Sequence, residues 1–427
     1  MSRILIITAR YAPFIGPRAH RWTALAEYWA QQGHEVHVVC PAYDGLPAEG
    51  FINGVQVHRT GVDSLKELAY RWLAGAGARG RVGERPSQPG RCERIGNWLY
   101  DHVWKKIYFP DDALFWYRPA LKKALQLIDK QYFDAMFTVA LPFAAHLVGW
   151  SVRKRYPGLK WLADTGDPFV LQPRFRKQRW NLYAGRAKKL EKGVLLAADH
   201  TVVTTEAARV AYQDLFGAEA VRKMSVIPPL LHPGPGARER KPEPVEPLRL
   251  GYFGTFYNPV RTPDAFLRLL EEGFRLQPEW RNRVVIHFYG EIFPEFLARL
   301  SDSPQIILHG LRSREESRLA MLRMHGLVHI GNATDFQLPS KIVEYLAAQK
   351  PVFHLSYVAS DPFVTFWGQA RGLETASVDR NGNADTQQWL NWLQYVDRER
   401  PHFEREIAPY LIDSIGDAYL RALHCSV

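Results

Sequence analysis

Residues 4–40 read ILIITARYAPFIGPRAHRWTALAEYWAQQGHEVHVVC, and this stretch decides the fold class. Residues 4–8 form a short apolar run, suited to a parallel strand buried on both faces. Residues 10–18 form a loop holding Pro13, Gly16 and Pro17. Trp22, Leu25, Ala26 and Trp29 then recur at i, i+3, i+4 and i+7, the spacing of an amphipathic helix. Gly33 stands where a helix C-terminus favours glycine, and residues 34–40 supply the next strand. The unit is β-loop-α-β.

The same alternation continues outward. Strands are expected at 135–139, 160–163, 201–204 and 225–227, with helices at 181–197 and 206–216. Residues 75–90 are rich in Gly, Arg and Pro and read as a mobile loop. Seven prolines fall in the twenty residues 228–247, which predicts a stiff linker. A second series follows, with strands at 248–253, 284–289, 305–309, 327–330 and 352–355 and helices at 263–274, 314–324 and 340–348. The expected architecture is α/β, two Rossmann-like doubly wound domains. Their expected spans are 1–228 and 248–407, joined by 229–247, with a helix near 408–427 packing back on the first.

Composition narrows the class. The chain has 427 residues, 46% hydrophobic and 23% charged, which excludes a disordered or collagen-like protein. Three cysteines, Cys40, Cys92 and Cys425, are far apart, so neither a disulfide framework nor a zinc motif is expected. Residues 135–150, the longest apolar candidate, are broken by Pro142 and His146, so no spanning helix is expected. The opening apolar run is too short for a secretory leader, and a cytoplasmic location is expected. The net charge is +11. Between Arg153 and Lys192, twelve Lys and Arg face Asp164, Asp167 and Glu191, a local excess of nine. With the aromatic group Trp98, Tyr100, Trp104, Tyr108, Trp116 and Tyr117, this predicts docking on an anionic membrane surface. A solvated charged face is the simpler alternative. Nothing resembling a nucleic-acid recognition motif accompanies the charge.

In doubly wound sheets ligands sit beyond the carboxyl ends of strands, so the loops there carry the chemistry. The loop after the first strand holds Gly16, Arg10, Arg18 and Arg21 and feeds a helix, a setting that suits anions. The loop after residue 253 holds Gly254, Thr255 and Arg261, with Pro263 suited to the first helical position. The segment from Asp335 through Ser340, Lys341 and Glu344 to Pro351 is the most specific. Lys341 in a first helical turn opposes the helix dipole, and a bound anion would remove that conflict. A phosphate at Ser340 and Lys341 with a ribose at Glu344 is a coherent nucleotide grip; a plain Lys–Glu surface pair is the alternative. Asp164-Thr165-Gly166-Asp167 is a turn with two carboxylates, able to serve as metal ligand, base or hydroxyl binder, or simply as an Asx-turn. His146 follows the 135–139 strand and is either a site residue or a core histidine.

Read in order, the opening stretch, FPDDALFWYRPAL (109–121), FDAMFTVALPFAAHLVG (133–149), WLADTGDPF (161–169), LEKGVLLAADHTVVTTE (190–206), LRLGYFGTFYNPVRTP (248–263) and LPSKIVEYLAAQKPV (338–352) resemble retaining glycosyltransferase family 4, of GT-B fold. The resemblance covers nearly the whole chain. It implies two Rossmann-like domains facing a cleft and a nucleoside diphosphate sugar as co-substrate, with no other cofactor and no metal. It places Lys341 and Arg261 on the diphosphate, Glu344 on the ribose and Gly16 against the diphosphate from the first domain. Asp167 and His146 would lie on the acceptor and sugar side, as the catalytic pair. Gly254, Thr255, Ser340 and Asp335 complete the expected donor set. The implied acceptor is a glycan or lipid-linked sugar of the cell envelope. Two departures stand out. The family often has a second Glu eight residues before the Glu344 position, where this chain has Phe336 with Asp335 beside it. The second glycine of the N-terminal pair is Pro17. An epimerase or phosphorylase on the same fold, and a non-catalytic sugar-nucleotide binder, are the alternative functions.

Overall fold

The computed structural model describes residues 1–14, 16–43, 45–62, 109–171, 183–231, 247–256, 258, 260–368, 370–399 and 401–424. The chain divides into two units, Met1–Pro228 with Ile412–Val427, and Pro229–Leu411.

The first unit is built on an eight-stranded sheet. Its elements are β1 (Arg3–Thr8), α1 (Pro17–Gln31), β2 (Glu35–Cys40), β3 (Glu49–Ile52), β4 (Val55–Arg59), α2 (Leu114–Lys130), β5 (Ala135–Val139), α3 (Ala144–Arg155), β6 (Lys160–Asp164), α4 (Ala184–Ala197), β7 (His200–Val203), α5 (Glu206–Phe216), α6 (Ala218–Val221) and β8 (Met224–Val226). The strand order is β3-β4-β2-β1-β5-β6-β7-β8, parallel except for the β3–β4 hairpin. Ile4 to Ile7 of central β1 are fully buried, as a strand covered on both faces requires. The chain's last helix, α14 (Ile412–His424), belongs to this unit. It meets α1 through an aromatic group in which Trp29 stacks on Phe137 (5.0 Å) and Trp22 meets Tyr419 edge-on (5.3 Å). Gly416 permits that approach, since a Cβ there would lie 2.6 Å from the Tyr28 ring.

The second unit carries β9 (Leu248–Phe253), α7 (Asp264–Leu276), α8 (Trp280–Arg283), β10 (Val284–Tyr289), α9 (Pro294–Ser301), β11 (Ile306–Gly310), α10 (Arg314–Arg323), β12 (Gly326–Ile330), α11 (Ile342–Ala348), β13 (Val352–Ser356), α12 (Pro362–Trp367), β14 (Leu373–Ser377) and α13 (Thr386–Glu399). Its six strands run β11-β10-β9-β12-β13-β14, all parallel. One sheet face packs Leu250, Val328 and Phe353 with Phe266, Trp389 and Trp392. The other packs Phe253, Leu327 and Val352 with Ile342, Tyr345 and Phe363.

Several sequence expectations need correction. Pro263 is the N-cap of α7 rather than its first residue, because the chain still turns there. The helix expected at 340 starts at Ile342, with Lys341 as its N-cap and Ser340 just outside. Trp116 is buried in the core, and Tyr117 bonds Ser151 at 2.8 Å, so neither is free for a membrane surface. Trp98, Tyr100, Trp104, Tyr108, the 75–90 loop and linker residues 232–246 lie outside the described residues. Among the described residues no helix is long and apolar enough to cross a membrane.

Candidate functional site

In the first unit, the ends of β1, β5 and β6 bring Arg18, His146, Asp164 and Asp167 into one electrostatic cluster. Arg18 lies in the first turn of α1. Its Nε donates to Asp167 (2.8 Å) and its Nη1 to Asp164 (3.2 Å). Gly166 makes room, since a Cβ there would fall 2.1 Å from the guanidinium. The Asp164 carboxylate also accepts the Gly166 N–H (2.8 Å) and the Tyr419 hydroxyl (2.6 Å). Arg21 donates in turn to the Tyr419 oxygen and to the carbonyl oxygens of Ile227 and Pro228. Burial pushes Asp164 up, but Arg18, Arg21 and these donors outweigh it and hold the carboxyl below its usual range. Asp164 is thus the buried anchor and Asp167, whose side chain is 30% exposed, is the accessible carboxylate.

His146 sits in the first turn of α3 and is fully buried. Trp161 Nε1–H donates to Thr138 Oγ1 (2.8 Å), and the same hydroxyl lies 2.7 Å from His146 Nδ1. His146 Nε2 is buried and has no hydrogen-bond partner among the described residues. Burial, with Arg18 adding and Asp164 opposing, lowers the ring to about 4. His146 is therefore neutral at neutral pH.

Two carboxylates that the sequence did not assign to the site hold this edge in place. Asp111 accepts the Phe143 and Ala144 N–H groups at the start of α3. Glu191 of α4, 1% exposed, accepts the Phe169 and Val170 N–H groups (2.8 and 2.9 Å) and the Tyr212 hydroxyl (2.6 Å). Burial raises Glu191 despite those donors. The segments FPDDALFWYRPAL and LEKGVLLAADHTVVTTE contain both residues, but a charged residue in a helical or loop pattern reads as surface until its distant partners are known.

Gly16 caps α1 with an extended backbone, so space rather than handedness matters: a Cβ would come within 3.2 Å of the Phe14 ring. Among the described residues of the basic run, Arg153 donates to Asp199 (2.7 Å), while Lys154, Arg155, Lys160, Arg186, Lys188, Lys189 and Lys192 are exposed.

In the second unit, the loops after β9 and β12 converge on Arg261. The guanidinium donates to Asn332 Oδ1 (2.7 Å), and the Ala333 N–H bonds the Val260 carbonyl (2.8 Å). Arg261 also approaches Gly254, where a Cβ would stand 3.2 Å from Nη1. Gly290 must be glycine on two counts: its φ is +145°, and a Cβ would overlap the Gly254 carbonyl oxygen at 2.1 Å. Thr255 is partly exposed beside Gly254.

Glu344, 8% exposed, receives both Lys341 Nζ (2.5 Å) and Arg314 Nη2 (2.9 Å). The Lys341 conflict with its helix start is therefore met from within the chain, by a carboxylate three residues on, without calling for an anion. Asp335 and Ser340 are exposed, and neither is drawn into this network. Beneath it, Tyr345 accepts the Phe253 N–H (3.0 Å) and donates to the Val328 carbonyl (3.0 Å), tying α11 to the sheet. Among the described residues, no cluster of three or more His, Cys, Asp and Glu side chains could hold a metal ion.

No protein-family model matches the chain, and no curated protein matches it. Solved structures do. Sucrose-phosphate synthase from Thermosynechococcus elongatus superposes with a TM-score of 0.61 at 14% identity, covering 100% of both chains. α,α-Trehalose 6-phosphate synthase from Burkholderia multivorans gives 0.62 at 12%, covering 99% of this chain and 96% of that one. Anabaena Alr3699/HepE, in complex with UDP and glucose, gives 0.58 at 12%, covering 100% of both. At these identities the likeness establishes the fold, which is GT-B.

Proposed function

We propose that the chain is a retaining, metal-independent glycosyltransferase that moves a sugar from a nucleoside diphosphate sugar to a hydroxyl acceptor. The observation that carries the reading is the full-length GT-B likeness, which includes a structure holding UDP and glucose. The residue constellations above are compatible with it. In the second unit Arg261 and Lys341 supply positive charge for the diphosphate, with Gly254 and Thr255 beside them. Lys341 turns from Glu344 to the ligand, Arg314 keeps Glu344 neutralised, and Glu344 accepts from the ribose. Charge stabilisation of the departing diphosphate lowers the barrier, and no side-chain nucleophile is assigned. In the first unit Asp167, the accessible carboxylate, orients a hydroxyl, and neutral His146 lies buried beside the Arg18–Asp164 pair. Arg18 and Asp164 fix Asp167. The acceptor is a glycan or lipid-linked sugar of the cell envelope, and the exposed lysines of α3 and α4 suit reversible contact with an anionic surface.

The test is turnover of UDP-, ADP- and GDP-sugars with sugar and lipid-linked acceptors in excess EDTA, with the product's anomeric configuration read by NMR. Transfer with retained configuration is expected, and Asp167→Asn should lower turnover far more than donor affinity. Inverted configuration, or activity lost to EDTA and restored only by Mg²⁺ or Mn²⁺, contradicts the mechanism.

A further inference from the structure

The last helix of the chain reaches the candidate site through one side chain. Tyr419 of α14 is fully buried, and its hydroxyl stands between two charged groups of the same unit. Arg21 Nη2 lies 2.9 Å from the hydroxyl oxygen, and Asp164 Oδ2 lies 2.6 Å from it. A guanidinium can only donate, so the Tyr419 oxygen accepts from Arg21 and its one hydrogen goes to Asp164. The rest of the α14 contact uses other groups. The Tyr419 ring meets Trp22 and Trp29 edge-on, Trp29 Nε1 donates to the Gly416 carbonyl (3.3 Å), and the Tyr28 hydroxyl donates to Asp417 (3.2 Å). A phenylalanine at 419 would keep these contacts and lose only the hydroxyl.

The two oxygens of Asp164 divide the work. Oδ1 accepts from Arg18 Nη1 (3.2 Å) and from the Gly166 N–H (2.8 Å), and Oδ2 accepts from Tyr419. A carboxylate is planar, so holding Oδ2 also sets the direction in which Oδ1 meets Arg18. The guanidinium is planar too, so the place of Nη1 sets the direction of Nε, which donates to Asp167 Oδ2 (2.8 Å). Tyr419, Asp164, Arg18 and Asp167 thus form one chain in which every link is a hydrogen bond. Tyr419 and Asp164 are fully buried, and the Asp167 side chain at the far end is 30% exposed.

We propose that Tyr419 is a positioning residue for the transfer, its hydroxyl orienting Asp164 and, through Arg18, the accessible carboxylate of Asp167. The proposal rests on the reading of Asp167 as the group that orients a substrate hydroxyl. Tyr419 is buried and acts through its neighbours, not on substrate. Without its hydroxyl, Asp164 Oδ2 loses a buried donor, the carboxylate plane is free to turn, and Arg18 follows. Asp167 then leaves its productive direction for part of the time. A misdirected orienting group lowers turnover, because the reacting atoms meet less often in the right geometry. Donor affinity, assigned to the second unit, does not change.

The experiment is a double-variant cycle on the full-length protein, with UDP-, ADP- and GDP-sugars as donors and sugar and lipid-linked acceptors. Turnover, KM and donor Kd are measured for the wild type, Tyr419→Phe, Asp167→Asn and the double variant. Tyr419→Phe should lower kcat by about tenfold and leave donor Kd within about twofold. Beside Asp167→Asn the same change should cost under about twofold, because the group it positions is already disabled. Tyr28→Phe removes a hydrogen bond from the same helix contact outside this chain and should keep the wild-type kcat. A loss from Tyr419→Phe that persists in full beside Asp167→Asn is general damage and overturns the proposal. Unchanged kcat in folded Tyr419→Phe also overturns it, while a large loss from Asp167→Asn alone keeps the reading of Asp167. If Tyr419→Phe folds poorly, Asp164→Asn cuts the chain one link further on. Its kcat loss should likewise vanish beside Asp167→Asn, and unchanged kcat there overturns the proposal. No transfer with any donor, or wild-type kcat in folded Asp167→Asn, overturns the reading of Asp167 and the proposal with it.

Discussion

Arg18 holds two carboxylates at once, Asp167 through Nε at 2.8 Å and Asp164 through Nη1 at 3.2 Å. Asp164 is fully buried, so Arg18 is one of the groups that keep it ionised, whereas Asp167 remains partly in water. Removing the cation leaves a buried charge short of a partner, which costs more than removing the hydrated carboxylate. Arg18→Ala should lose about 2 kcal/mol of stability, and Asp167→Asn under about 1 kcal/mol. Urea unfolding of the two variants checks the order; equal losses would show that the Asp164 contact contributes little.

Gly166→Ala attacks the same contact from the other side. The added methyl group would sit 2.1 Å from Arg18 Nη2, so the guanidinium must leave its place. Its cost should overlap that of Arg18→Ala, and the double variant should be less destabilised than the sum by at least about 1 kcal/mol. Additive losses would mean that the backbone yields and the guanidinium stays.

The sequence read most clearly in apolar runs and in amphipathic spacing. The strands Ala135–Val139, Leu248–Phe253 and Val284–Tyr289 and the helix Glu206–Phe216 were expected at the boundaries observed, because apolar runs and 3.6-residue spacing mark buried parallel strands and amphipathic helices. Three strands were not seen. Glu49–Ile52 and Leu373–Ser377 at sheet edges, and Val55–Arg59 next to one, carry His, Gln, Arg, Glu, Thr and Ser and so lack an uninterrupted apolar run. Of the site, Asp164, Asp167, Arg261, Lys341 and Glu344 were legible as polar residues following strands. Their partners were not. Tyr419 lies 255 residues from Asp164, and Arg314 lies 30 from Glu344, and no local pattern encodes such pairings.

Acid should destabilise the first unit through His146. Its folded value of about 4 lies below the unfolded value near 6.5, so between those limits the unfolded chain binds more protons. Stability therefore rises with pH across that window. The contribution is fully present above about pH 6.5 and is lost as the pH falls toward 4, by about 3 kcal/mol for this ring alone. Glu191 has the opposite slope, because its raised value favours the folded state at the acid end. Melting temperatures from pH 4 to 7 should rise with pH, and His146→Gln should flatten the curve. An unchanged slope in that variant would show that the ring does not titrate as its burial requires.

The most direct test of the account is nucleoside diphosphate affinity in wild type, Lys341→Ala and Arg261→Ala, measured by calorimetry with UDP, ADP and GDP. Both cations are assigned to the diphosphate, so each variant should lose about 1.5–3 kcal/mol of binding, roughly tenfold to a hundredfold in Kd. Thermal unfolding of the same samples separates this from a folding defect. The account predicts that at least one nucleotide binds the wild type and that both variants bind it more weakly while remaining folded. Binding unchanged by either substitution, or no binding of any of the three to the wild type, would contradict it.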